Sequence, residues 1–132
     1  MTPIRTLFIA SAAMLAALTV SACEKHIEAP FEKGVCFHVV PLTGGQVKFN
    51  VLARNKPTLE TCAASLEGMR ERFLALGGTQ SDVVGAFQGN FLFLGRTGVF
   101  TGPTLEGARW PALVRTQDGR LAIPSAMPQP AQ

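Results

Sequence analysis

PTLETCAASLEGMRERFLALGG, residues 57–78, decides the fold, because it carries a helical period in a chain otherwise made of alternating and turn-rich segments. Leu59, Cys62, Ala63, Leu66, Met69, Phe73 and Leu76 recur at spacings of three and four, which predicts a single apolar stripe. Thr58 reads as the N-cap, Glu60 lies in the favourable first turn, and Gly77-Gly78 ends the helix where the chain needs a left-handed residue. Glu60, Glu67, Arg70, Glu71 and Arg72 cover much of the other side. Glu67 and Glu71 are four apart with arginines among them, so a solvated helix face is expected rather than a pair of acid–base carboxylates.

Outward from the helix, both flanks read as hairpins. Upstream, Val35–Leu42 is rich in β-branched and aromatic residues. Gln46–Arg54 alternates, with Val47, Phe49, Val51 and Ala53 on one face and Lys48, Asn50 and Arg54 on the other. Thr43-Gly44-Gly45 supplies the connection, which predicts a hairpin with one wet face. Downstream, Asp82–Gln88 and Phe91–Arg96 flank Gly89-Asn90 as a second hairpin. Between Gly95 and Gly107 the glycines and Pro103 interrupt any period, although Val99 and Phe100 suit a short buried strand. Ala112–Gln117 and Arg120–Pro124 bracket Asp118-Gly119; a two-residue turn there would set Thr116 opposite Leu121 and Val114 opposite Ile123. The order is two strands, one helix and at least four strands (ββαββββ). The expected class is α+β, a mainly antiparallel sheet built of hairpins with one helix packed on a face. Because Cys62 lies in the apolar stripe, it should look toward the sheet.

With 132 residues the chain allows one compact domain. Its formal charge is +3, and setting aside Arg5, the only charged residue of the first twenty-two, leaves eleven Lys and Arg against nine Asp and Glu. These are scattered rather than clustered, which argues against a nucleic-acid partner.

The N-terminus carries a compartment signal. A positive start at Arg5, an apolar run from Leu7 to Val20 and small residues before Cys23 describe a secretory signal, too short to span a bilayer. Val20-Ser21-Ala22-Cys23 resembles the lipobox of bacterial lipoproteins, with Val20 where Leu is commoner. The resemblance covers residues 1–23. It implies cleavage after Ala22, acylation of Cys23 by diacylglycerol and a palmitate-type chain, and a membrane-tethered protein in the cell envelope. Glu24 stands where an Asp would imply retention in the inner membrane, so the resemblance points to the periplasmic face of the outer membrane. If Cys23 carries lipid, Cys36 and Cys62 remain as a pair in an oxidising compartment, and a disulfide between them is expected. The resulting division is a signal peptide over 1–22, the lipidated Cys and a solvated tether over 23–33, one α+β domain over 34–124 and a loose Pro- and Gln-rich tail over 125–132.

Chemistry is thinly represented. The mature chain has two histidines, His26 in the tether and His38 on the first strand, and no Gly-x-Ser-x-Gly elbow. A site from His38, Ser81 and Asp82 has no supporting spacing. Cys36 and His38, two apart on a strand, would share a face and with Cys62 and His26 offer soft zinc ligands, but the spacing matches no recurrent zinc motif and the compartment favours the disulfide. Neither a metal nor another cofactor is expected. Aromatic residues are the remaining signal. Phe91, Phe93 and Trp110, interleaved with Arg96 and Arg109, suit a partner surface if their rings face outward. The sequence reading is therefore a lipid-anchored, non-catalytic binding or accessory domain of an envelope complex, with membrane and protein partners. The alternatives are a small periplasmic hydrolase or metal-dependent enzyme, and an inhibitor of a foreign lysozyme or protease.

Overall fold

The computed structural model describes residues 26–126, so Cys23, the signal segment and the last six residues of the expected tail lie outside it. The elements are β1 (Cys36–Pro41), β2 (Val47–Ala53), α1 (Leu59–Ala75), β3 (Val83–Phe87), β4 (Asn90–Gly95), β5 (Gly98–Gly102), β6 (Trp110–Arg115) and β7 (Leu121–Ala122). They form an α+β fold, as the hairpin pattern and the single helical stripe predict. The seven strands make one antiparallel sheet in the order β2-β1-β3-β4-β5-β6-β7, so Gly98–Gly102 is a full strand within it.

β1 lies between β2 and β3 and is antiparallel to both, so β2 and β3 run parallel and α1 is the crossover that carries the chain past β1. Thr58 caps α1: its side chain accepts from the Thr61 N–H, and Thr61 returns the bond to the Thr58 N–H, a reciprocal capping box. At the other end Gly78 donates to the Phe73 carbonyl and Gly77, at φ 91°, to the Leu74 carbonyl, a Schellman ending. Thr58→Ala is expected to lower the unfolding free energy by about 1 kcal/mol, read as a shift of the urea midpoint at unchanged slope.

Cys62, Ala63 and Leu66 are fully buried against Cys36, Phe87, Leu92, Leu94, Val99 and Leu113. Gly85 makes this approach possible, since a side chain there would overlap Leu66 and the Phe37 carbonyl. The apolar stripe does not bury all its members: Phe73 is 49 % and Leu76 88 % exposed. A helix of this length spans about 25 Å, whereas strands of five or six residues span about 17–20 Å, so its last turn overhangs the sheet.

The face away from the helix is apolar too. Phe37, Val39, Ala86, Phe91 and Phe93 form a second core with Val47, Phe49, Val84, Phe100 and Leu105 at its margins. Rings of Phe37, Phe49, Phe91 and Phe93 follow one another at centroid spacings of 6.2 to 6.5 Å. The first hairpin thus differs from expectation. Val47 and Phe49 pack in this second core, Val51 is 46 % exposed, and Ala53 joins the helix side because the β1–β2 register shifts between Cys36 and Phe37. An extra residue moves everything beyond it to the other face.

Ile27 and Ala29 complete the second core, so residues 26–35 form an arm that packs on the domain where the sequence suggests a solvated tether. Backbone bonds hold the arm: Gly89 donates to the Pro30 carbonyl at 3.1 Å and Lys56 to the Gly34 carbonyl at 2.9 Å. The Gly34 N–H donates to Gln88 Oε1 at 3.1 Å. The β3–β4 turn is centred on Gln88-Gly89 rather than Gly89-Asn90. Both residues have positive φ, 43° and 83°, as a type I′ turn requires, and the bond from Gly34 to the Gln88 side chain helps offset the cost of a non-glycine there. The last hairpin also slips by one. Thr116 donates to the Arg120 carbonyl and Gly119, at φ 83°, to the Thr116 carbonyl, giving a three-residue loop that pairs Arg115 with Leu121 and Val114 with Ala122. Ile123 is left 49 % exposed.

Candidate functional site

Cys36 and Cys62 are joined by a disulfide with Cα atoms 5.3 Å apart, which ties the crossover helix to β1. Both sulfurs being committed, they do not serve as thiolate ligands. Among the described residues no three of His, Cys, Asp and Glu gather as a metal set, and no helix is long and apolar enough to cross a membrane. His38 lies in a small cavity of about 120 Å3 with Met69, Arg70, Phe73, Gln80 and Val83, where burial holds its pKa below the ordinary value and keeps the imidazole neutral at pH 7. Ser81 and Asp82 line a different cavity, so the imagined His38, Ser81 and Asp82 set is not brought together.

That other cavity is a cleft of about 770 Å3 at the end of the sheet marked by the β4–β5 turn. Phe93 on β4, Phe100 on β5 and Leu105 from the following loop supply its apolar floor, and all three belong to the second core. Arg96 and Thr97, in the β4–β5 turn, and Arg109, just before β6, supply polar rim groups, with Ser81 and Asp82 ahead of β3 opposite them. Arg109 Nη2 donates to the Leu105 carbonyl at 2.9 Å, and its guanidinium carbon stands 3.4 Å from the centroid of the Phe93 ring. A cation over an aromatic face in a partly wet site is worth about 0.5–1 kcal/mol, enough to hold the guanidinium in place at the cleft wall.

Of the five residues expected as a partner surface, the structure gathers Phe93, Arg96 and Arg109 in this cleft. Phe91 is fully buried in the second core and presents nothing to a partner, while Trp110 is 56 % exposed at the start of β6 and is not among the cleft-lining residues. Phe100 and Leu105 are the members that sequence reasoning missed. Phe100 sits at a register shift between β5 and β6, and Leu105 in a glycine-rich loop without period, so neither carried a pattern that pointed to the cleft.

A second polar cluster is structural. Glu67 is only 9 % exposed and receives bidentate hydrogen bonds from Arg70 at 2.9 Å and from Arg115 at 2.7 and 3.0 Å, which replaces the solvated charge expected at this position. Arg115 also donates to the carbonyls of Gly95 and Gly119, and Arg70 to that of Ser81. Burial pushes the Glu67 carboxyl up, but the hydrogen bonds and charges of Arg70 and Arg115 outweigh it and hold the pKa at about 2. With every carboxylate lone pair directed at a guanidinium, this group is a clasp between α1 and β6 and offers no free base. Compared with protein-family models, curated proteins and solved structures, the chain finds no match.

Proposed function

We propose that this chain is a lipid-anchored domain of the cell envelope that acts by binding, and that the cleft between the β4–β5 turn and Arg109 is its recognition site. The cleft carries the reading: an apolar floor of Phe93, Phe100 and Leu105 beside two arginines, of which Arg109 is already oriented by Phe93 and the Leu105 carbonyl. Aromatic and arginine side chains in a partly desolvated pocket are the groups that carry most of the energy in protein interfaces. The fitting partner is a segment with an apolar side chain and a carboxylate or other acidic group. The lipobox supports the anchor, and Glu24 supports the outer membrane. The disulfide between Cys36 and Cys62, which leaves Cys23 as the odd cysteine, is consistent with an oxidising compartment.

The test is site-specific photo-crosslinking in intact envelopes, with the reactive group at Arg96 or Leu105 and, as a control, at Glu71 on the helix. Adducts are expected at the two cleft positions and not at the control. They should be lost with Arg109→Glu, which reverses the rim charge at an exposed position. Equal adducts from Glu71, or adducts indifferent to Arg109→Glu, would remove the cleft as the recognition site.

A further inference from the structure

We propose that the end of the domain bearing the N-terminal arm and the β3–β4 turn rests on a phospholipid surface, with Phe31 inserted at headgroup level and the cleft facing away from it. This inference depends on the lipid-anchor reading of Cys23.

The geometry follows from chain length. Only Glu24 and Lys25 stand between Cys23 and His26, so the three steps reach at most about 11 Å. From His26 to Pro30, whose carbonyl is bonded to the Gly89 N–H, the chain reaches at most about 14 Å. Because Ile27 and Ala29 are packed in the second core, the arm does not let the domain tumble at the end of a ten-residue leash. The lipid therefore keeps the bond between Pro30 and Gly89, and with it this end of the sheet, within about 25 Å of the bilayer.

The same end presents an aromatic residue with no cover. Phe31 is 78 % exposed although its backbone is held between the bonded residues Pro30 and Gly34, and its ring lies over Gly89. A ring fixed in advance gives up little further backbone freedom on insertion, and aromatic rings are favoured at the membrane interface. Charge at this end is balanced, Lys33, Arg54 and Lys56 against Glu28, Glu32 and Glu60, so apolar insertion rather than attraction to anionic lipid is the driving term. Among the other exposed apolar residues, Phe73 and Leu76 end a helix about 25 Å long whose first turn lies at the arm end, which places them on the far side with the β4–β5 turn that lines the cleft.

The lone tryptophan makes the test direct. In a Trp110→Phe background, Phe31→Trp and Leu76→Trp each give a single emitter in the full-length protein purified from membranes and reconstituted into phosphatidylethanolamine–phosphatidylglycerol vesicles containing lipid brominated near the headgroup. Phe31→Trp is expected to lose about half its emission and Leu76→Trp to be unaffected, as a shallow insertion depth requires. Acylated protein in which Phe31→Trp is not quenched, or in which Leu76→Trp is quenched equally, overturns the orientation while leaving the anchor standing. Intact mass without acyl chains, or a Cys23→Ser variant that still sediments with membranes, overturns the anchor reading itself and the orientation with it.

Discussion

Removing the disulfide with Cys36→Ala and Cys62→Ala is expected to lower the unfolding free energy by about 3.5 kcal/mol and the melting midpoint by roughly 15–25 °C. The residues are 26 apart in sequence, and closing a loop of that length restricts the unfolded chain by this amount in the chain-entropy account. The position adds a topological reason. The bond links the crossover helix to β1, which the helix must pass over to place β3 beside it, so the open chain has to find its longest-range strand pairing without that link. Alanine is the right replacement, since both sulfurs are completely buried and serine would leave hydroxyls there without assured partners. Urea unfolding of oxidised protein and of the double variant checks the figure. A loss below about 1 kcal/mol would show that the unfolded chain is not restricted by the bond. Because a domain of this size has only about 5–15 kcal/mol in hand, the double variant is also expected to be far more sensitive to proteolysis.

The parts of this fold that were legible in the sequence are those written in local periods. The helix between Thr58 and Gly77 has a stripe of the right period and caps at both ends, and its orientation agrees with the cysteine pair that the lipobox resemblance implies by setting Cys23 aside. Turn positions were legible only to within one residue. Gln88-Gly89 and the loop from Gln117 to Gly119 each contain the expected glycine, but the side-chain acceptor at Gln88 and the Thr116 N–H bond to the Arg120 carbonyl shift the register. The second core was hidden for a different reason. Strands covered on both faces lose their alternation, and Phe91-Leu92-Phe93-Leu94 is a continuous apolar run that serves both cores at once. The cleft is half legible. Phe93, Arg96 and Arg109 stand out by composition, whereas Leu105 is placed by a loop whose path depends on bonds such as that from Arg109. Glu67 is the clearest failure of local reading, because its partner Arg115 is 48 residues away and nothing near Glu67 distinguishes it from Glu71.

That clasp carries the second large effect. Glu67→Gln keeps the size of the side chain and removes its charge, leaving the Arg115 side chain, 12 % exposed, without its carboxylate partner and the Arg70 side chain, 13 % exposed, with only the weaker pull of Glu71 and Asp82. The expected cost is about 3 kcal/mol at pH 7, since removing one partner of a buried pair leaves the other charge uncompensated. The pH dependence separates this from a packing defect. The carboxyl titrates at an ordinary 4.5 when unfolded and at about 2 in the folded protein, so the folded state binds its proton less readily than the unfolded state. Its contribution is therefore complete above about pH 4.5 and declines as the pH falls from there toward 2. Allowing for the solvent that still reaches the rim of the carboxylate, the amount lost over that window is about 2 kcal/mol. Urea midpoints of the native protein and of Glu67→Gln should thus differ widely at pH 7 and converge as the pH approaches 2. A gap that stays constant from pH 7 to pH 2 would mean that shape, not charge, is what Glu67 supplies. The partner experiment is Glu67→Leu with Arg115→Leu and Arg70→Leu, which removes all three charges together. It should recover much of the lost stability, because the penalty lies in the stranded guanidinium groups rather than in the absence of the ion pair.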